Sequence, residues 1–436
     1  MNLIVVGGGA AGMAAASKAK RQDPRAAVTV IERGKYVSYA ECGIPYYLGG
    51  VVKDLNQLIH YPIEEFTVRR GIRIITNRNA TKIEPENKVI VLDNGDKLAY
   101  DSLIIATGAS PRVPEEFRDS GAIAIRSLED AQAAKSALGM GNEVGIIGDG
   151  TLGMEIASEL SASGKKVTLL SRHDRIFPRI YDDVGEKMRE DFESRVNVIK
   201  GAEIRDIVKT GSRISVTTGQ TRLEFDTVFL AVGVGPNSAL GASAGLRLGS
   251  HGAIRVDERM ETSEPGIFSA GDCATVRNLV TGGEDWMPLA QISNKSGRVA
   301  GANAAGGEMN FPGALGTVLV KIFDFEVGYT GITEKDADSF GINNKRIFVR
   351  AKSRAAYYPG GEDVYLSLLL QNGNRRILGA QVISKDGGAW RLNSLALAVQ
   401  QKISADELFF TDFGYSPPFG PVWDPVVIAG SLGMDK

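Results

Sequence analysis

Cysteine is scarce: the 436 residues hold two, Cys42 and Cys273, too few for a disulfide framework. Histidine is represented only by His60, His173 and His251, and no metal site is expected. Runs of like charge are absent, and 50 basic against 52 acidic residues leave a formal charge of -2, which excludes a polybasic surface for nucleic acid or membrane. Apolar runs are short and broken by glycine and charge, well under the roughly 20 residues that span a bilayer. The chain opens on an apolar strand, Leu3-Ile4-Val5-Val6, without a charged leader and cleavage site before it. These absences read as a cytoplasmic protein acting on small molecules, long enough for two or three domains.

What the chain has is glycine, 52 residues spread along its length. Gly7-Gly8-Gly9-Ala10-Ala11-Gly12 follows the first strand, opens a helix over Met13 to Arg21, and is followed by the strand Val28 to Ile31 ending in Glu32. A glycine loop between strand and helix, with an acid about 20 residues on, is the fingerprint of dinucleotide binding. Gly7 makes the tight turn, Gly9 lets the backbone approach a pyrophosphate, Gly12 lets helix and strand pack, and Glu32 accepts from ribose hydroxyls. The grammar recurs at Val144 to Ile147, Gly148-Asp149-Gly150-Thr151-Leu152-Gly153, a helix through Leu160 and the strand Val167 to Leu170. Two such units imply two nucleotides. The second ends in Ser171-Arg172-His173 in place of an acid, and an arginine there accommodates a 2′-phosphate, so NADPH is favoured over NADH.

Two further segments are Leu103-Ile104-Ile105-Ala106-Thr107-Gly108-Ala109 and Thr262-Ser263-Glu264-Pro265-Gly266-Ile267-Phe268-Ser269-Ala270-Gly271-Asp272. With them the chain resembles, over nearly its whole length, the pyridine nucleotide-disulfide oxidoreductase family of flavoproteins. The resemblance implies an α/β fold with two Rossmann-like dinucleotide-binding domains and a C-terminal α+β dimerisation domain. It divides the chain into a discontinuous FAD domain over 1–110 and 240–312, an NAD(P)H domain over 111–239, and a dimerisation domain over 313–436. Strand-like Phe348 to Ala351 and Tyr365 to Leu370 and a helix-like Asn393 to Gln401 fit the last. FAD contacts are implied from the first glycine loop (Gly7, Gly9, Ala10, Ala11, Gly12), Glu32 and Arg33, Thr107 and Gly108, Gly271 and Asp272, and Pro288, Leu289 and Ala290. Contacts to the nicotinamide nucleotide are implied from Gly148, Gly150, Leu152, Gly153, Ser171 and Arg172.

Between the two loops lies Ser38-Tyr39-Ala40-Glu41-Cys42-Gly43-Ile44-Pro45-Tyr46-Tyr47. Taken alone, Cys42 reads as a small buried hydrophobe. Disulfide-reducing members of the family usually carry Cys-x4-Cys here, but position 47 is Tyr47, so any second sulfur comes from outside the chain. One thiolate can still cycle through a mixed disulfide with a small thiol. The single-cysteine branch holds coenzyme A disulfide reductases, persulfide and polysulfide reductases, and NADH oxidases and peroxidases. The oxidases place a histidine in the first glycine loop, where this chain has Ala10. The expectation is therefore an NAD(P)H-dependent reductase of coenzyme A disulfide or a related persulfide or polysulfide. The alternatives are an NADH oxidase or peroxidase working through a sulfenic acid, and a non-enzymatic, redox-responsive flavoprotein.

Without a histidine, tyrosine is the remaining proton donor for a departing thiolate. Tyr357 and Tyr415, in Ala356-Tyr357-Tyr358-Pro359-Gly360 and Tyr415-Ser416-Pro417-Pro418-Phe419, match tyrosines that reach the partner's active site in the dimeric coenzyme A disulfide reductases. The same resemblance puts Lys18, Arg21, Ser38, Glu41 and Asn294 at the coenzyme A site, where phosphates require cations. Glu41 and Asn294 depart from the family's residues, and a carboxylate beside Cys42 disfavours its thiolate. Cys273 reads as packing.

Overall fold

The computed structural model describes residues 1–219 and 221–434. The first unit is built on five parallel strands in the order Ile267–Ser269, Ser102–Ile105, Asn2–Val6, Ala27–Ile31, Arg73–Ile75. Asn2–Val6 is central and buried from Leu3 onward, so it reads as an unbroken apolar run instead of an alternating one. Parallel neighbours need a crossover, which the helix Ala10–Gln22 supplies. That helix presents alanines to the helix Ala290–Ala304, whose Gly297 and Gly301 remove the last barrier to contact. A Cβ at Gly297 would lie 2.2 Å from the Ala11 carbonyl oxygen, and one at Gly301 2.1 Å from that of Ala15.

The second unit repeats the plan with parallel strands in the order Asn197–Ile199, Lys166–Leu170, Glu143–Ile147, Thr227–Leu230. The helix Thr151–Ala162 follows its glycine loop. The backbone leaves the first unit on Ala109–Pro111 and returns on Val234–Pro236, and these two segments pair antiparallel as a narrow ribbon. In the C-terminal unit an antiparallel sheet runs Val318–Ile322, Phe325–Gly331, Ile377–Ser384, Asp363–Gln371, Asn344–Lys352, with the helix Gly388–Gln400 packed on it. The strands expected near 348–351 and 365–370 extend to Asn344–Lys352 and Asp363–Gln371. Burial of five consecutive residues, Leu366 to Leu370, erases the alternation that would have marked the length of the second.

One apolar core joins the parts. It runs from Ile44 and Leu48 through Met154 and Ile156 of the second unit to Val320, Ile322 and Ile383 of the C-terminal sheet. The short helix Ile44–Gly49, which follows Cys42, therefore sits where the units meet. Among the described residues no helix is long and apolar enough to cross a membrane.

Candidate active site

The first glycine loop is shaped for a pyrophosphate. Gly7 adopts φ 105°, closed to other residues, and a Cβ there would lie 2.1 Å from the Ala106 carbonyl oxygen. Gly12 is closed by the Gly7 carbonyl oxygen, 1.8 Å from where its Cβ would be. A Cβ on Gly9, by contrast, would meet nothing within 4 Å, and Gly9 supplies no side-chain cap to the helix Ala10–Gln22. Its first-turn N–H groups are thus left for an anion. Glu32 closes the floor: one carboxylate oxygen accepts from Gly8 N–H and the other from Gly34 N–H, both at 2.6 Å, with lone pairs remaining for ribose hydroxyls. Thr107 Oγ1 donates to the Asn237 carbonyl at 2.6 Å and Asn237 Nδ2 returns a bond to the Thr107 carbonyl, which ties Thr107-Gly108 to the returning ribbon. Asp272 accepts from Ser293 Oγ at 2.5 Å, so Gly271-Asp272 and the segment Pro288-Leu289-Ala290, which leads into the helix Ala290–Ala304, face one region. Exposed Arg33 extends its rim. These residues fit a flavin dinucleotide.

Cys42 lies in the turn Glu41–Gly43, directly before Ile44–Gly49. Gly43 packs against Leu58, whose Cδ2 would lie 2.4 Å from a Cβ placed there. Pro45 starts the helix, Gly50 ends it in the left-handed conformation, and Lys135 Nζ donates to the carbonyls of Tyr47 and Leu48 at 3.1 and 2.8 Å. Cys42 is exposed, so a disulfide can reach it, while Cys273 is fully buried and donates toward the Ile105 and Ala270 carbonyls. Although the residue meets solvent, the protein around it withdraws enough water to push the Cys42 thiol up, and the carboxylates Glu155, Glu41 and Asp272 add to the rise.

Glu41 is not the bare charge that its sequence position suggests. Its Oε2 lies 2.7 Å from Arg126 Nη1, and Arg126 Nη2 lies 3.6 Å from Asp272 Oδ2. Burial nevertheless raises Glu41 to about 7, with Arg126 opposing and Asp272 and Glu32 reinforcing. Glu155, on Thr151–Ala162, is also raised to about 7 by burial, and it accepts from Tyr46 Oη at 3.3 Å. The sequence reading missed Arg126, Glu155 and Tyr46; only Arg126 carried a local signal, lying just before the capping box of Ser127 and Asp130.

The second glycine loop repeats the geometry of the first. Gly148 has φ 111°, Gly153 packs on the Gly148 carbonyl oxygen and Gly150 faces open space, with Leu152 half-buried beside it. Ser171, at the end of Lys166–Leu170, is buried, and its Oγ accepts from His173 N–H. Arg172 is exposed, its Nε 3.4 Å from His173 Nε2, and His173 Nδ1 lies 3.1 Å from the buried Asp149 carboxylate. His173 and Asp149 were not foreseen at this site.

A family model described as pyridine nucleotide-disulphide oxidoreductase matches residues 1–297, and its dimerisation domain matches 317–425. The chain belongs to the pyridine nucleotide-disulphide oxidoreductase family. It is 38% identical over 434 residues to the NAD(P)H coenzyme A polysulfide/persulfide reductase of Pyrococcus horikoshii, covering 98% of this chain and 97% of that one. It is 31% identical to an NADH oxidase of Methanocaldococcus jannaschii, covering 100% and 99%. A solved NAD-dependent persulfide reductase from A. fulgidus superposes with a TM-score of 0.96 at 35% identity, over 100% of this chain and 83% of that one. The family implies FAD and NAD(P)H, in agreement with the two glycine cradles.

Of the remaining predicted residues, Arg21 is exposed and its guanidinium is lowered by burial and by the like charges of Arg298 and Arg70. Arg298 lies one turn beyond the exposed Asn294 on Ala290–Ala304. Lys18 instead donates to Gln22 at 3.1 Å. Ser38, with φ 52°, donates its N–H to the Gly8 carbonyl, placing it beside the first glycine loop. Arg298 and Arg70 are thus near enough to repel Arg21, and Arg70 is itself paired with Glu65 at 3.0 Å. Tyr357 and Tyr415 meet on the surface of the C-terminal unit, their hydroxyls 3.3 Å apart; Tyr415 is half exposed, and Tyr357 more so. That hydrogen bond raises the Tyr357 phenol.

Proposed function

We propose that this chain is an FAD-dependent NAD(P)H oxidoreductase that reduces coenzyme A disulfide or a coenzyme A persulfide through Cys42 alone, as a homodimer. The observation that carries the reading is one exposed cysteine between two dinucleotide loops, with the only other cysteine buried. The Cys42 thiolate attacks one sulfur of the disulfide, the sulfur–sulfur bond of the substrate breaks, and one thiolate leaves as the mixed disulfide forms. When bound, the flavin supplies the electron pair taken from the nicotinamide. Two electrons cleave the mixed disulfide, regenerate the Cys42 thiolate and release the second thiolate. Tyr357 and Tyr415 donate hydrogen bonds to the departing sulfur from the partner subunit. Glu155, on the helix that follows the second glycine loop, accepts from Tyr46 and acts on Cys42.

Coenzyme A is the fitting thiol because Arg21 and Arg298 bring like charges together beside Arg70, which Glu65 already pairs, and the phosphates of coenzyme A would offset them. Lys18, Ser38 and Asn294 complete that site, and the Glu41–Arg126 pair keeps the carboxylate beside Cys42 from repelling the substrate. The nucleotide assigned is NADPH, with Arg172 and the Asp149-held His173 facing its 2′-phosphate. Oxygen reduction, suggested by the NADH oxidase relative, lacks an acid in the first glycine loop, where Ala10 stands. The intact mass of the oxidised protein tests the reading. An increment equal to coenzyme A, lost on reduction and absent from Cys42→Ser, is expected after incubation with coenzyme A disulfide; an increment that persists in Cys42→Ser contradicts it.

A further inference from the structure

Two ion pairs of the C-terminal unit converge on the segments that carry Tyr357 and Tyr415. Arg391 is fully buried, and Asp424 nearly so. The Arg391 guanidinium grips Asp424 through Nε at 3.0 Å and Nη2 at 2.7 Å. It also donates to the Ser353 carbonyl at 2.9 Å and the Gly387 carbonyl at 3.0 Å. Asp424 in turn accepts from Val426 N–H, at the start of the helix Pro425–Met434. A single guanidinium therefore links the base of the Tyr357 loop to the end of the Tyr415 segment.

The second pair works from the loop itself. Arg354 holds Asp386 through Nε at 2.8 Å and Nη2 at 3.1 Å, and its Nη1 donates to the Pro359 carbonyl at 3.1 Å. Ser353 Oγ donates to the same Asp386 at 2.7 Å and accepts from Glu362 N–H, pinning the loop's two ends together. The loop then touches the other segment directly, Ala355 N–H donating to the Pro417 carbonyl at 3.2 Å. A buried ion pair gains little stability over well-packed apolar residues of the same volume. Its directional, fully satisfied bonds fix geometry instead.

We infer that Arg391–Asp424 and Arg354–Asp386 are positioning residues that hold the 353–361 loop and the 415–424 segment so that the two tyrosine hydroxyls meet, and that they thereby set the rate of the sulfur step. The inference rests on the proposed role of the tyrosines. It separates two steps: the transfer of electrons from the nicotinamide to the flavin uses neither tyrosine, so only the sulfur step depends on these pairs.

The test uses the FAD-loaded full-length protein and three variants: Arg391→Met with Asp424→Leu, Arg354→Gln, and Tyr357→Phe with Tyr415→Phe. Reoxidation of the NADPH-reduced protein by coenzyme A disulfide is followed in a single turnover. Displacing the hydroxyls by about an ångström should slow it on the order of ten- to a hundredfold. Flavin reduction by NADPH should proceed at the wild-type rate. Hydrogen exchange should rise in 353–361 and 415–424. Combining Arg354→Gln with the two phenylalanines should slow reoxidation no further than the phenylalanines alone, because a positioning residue has nothing left to position. Should the buried double substitution fail to fold, the half-buried Arg354→Gln decides alone. Wild-type reoxidation in Arg354→Gln, or an equal slowing with and without the hydroxyls, overturns the inference. Wild-type reoxidation in the double phenylalanine variant overturns the tyrosine reading, and this inference with it.

Discussion

At Cys42 the chemistry is decided by what surrounds one sulfur. Burial and three carboxylates push its thiol up, and Glu155 is the foremost of the charges. Glu155 itself, raised to about 7, is ionised over the range where such a thiol titrates, so its charge is present when it matters. Glu155→Gln should therefore move the pH midpoint for alkylation of Cys42 by iodoacetamide to lower pH, read as the alkylated Cys42 peptide in holoenzyme freshly reduced and desalted. A midpoint that stays or rises would show that Glu155 does not act on the thiol. How far this site was legible differs from residue to residue. Cys42, Ala10 and Arg172 suggested themselves because each stands at a fixed place within a local motif, and the roles given to them are proposals. Arg126 against Glu41, Asp149 against His173, and Arg70 with Arg298 beside Arg21 are joined only by tertiary contact, and no spacing in the chain announces them. The expectation that Glu41 disfavours the Cys42 thiolate holds, since its charge helps raise the thiol, while its Arg126 partner could not be read from the sequence.

The two strand–loop–helix units are the elements most faithfully encoded, since each needs only a short apolar run and three glycines in fixed spacing. What holds the first of them in place is less visible. The helix Ala290–Ala304 meets Ala10–Gln22 backbone to backbone through Gly297 and Gly301, two glycines that no motif singles out. A side chain at Gly297 collides with the Ala11 carbonyl, a backbone atom that cannot swing aside. Gly297→Val should thus cost about 1–3 kcal/mol or more of stability, the usual cost of overpacking, and should loosen the glycine loop carried by the same helix. Thermal unfolding and the fraction of FAD retained through gel filtration measure both, and a variant with wild-type melting and full retention would contradict this packing. The connecting ribbon and the full length of Asp363–Gln371 were not legible, the first because its strands are only three residues each, the second because burial on both faces removes period-2 alternation.

Across the whole molecule, the short helix after Cys42 is the meeting point: its Ile44 and Leu48 share a core with the second unit and the C-terminal sheet. Arg126, from the second unit, also joins the cysteine turn at Glu41 to Asp272. In the proposed mechanism one thiol suffices because the substrate supplies the second sulfur of the mixed disulfide. In the proposed mechanism the pairing of Tyr357 with Tyr415 on an exposed face would serve the sulfur site of a second subunit. The most direct test of this account is the Cys42→Ser protein, loaded with FAD, in two separate half-reactions. NADPH should bleach its flavin as in wild type, whereas turnover of coenzyme A disulfide or persulfide should fall by several orders of magnitude, since a serine hydroxyl is neither ionised near neutrality nor able to form the mixed disulfide. Disulfide turnover near the wild-type rate in Cys42→Ser would contradict the single-cysteine mechanism.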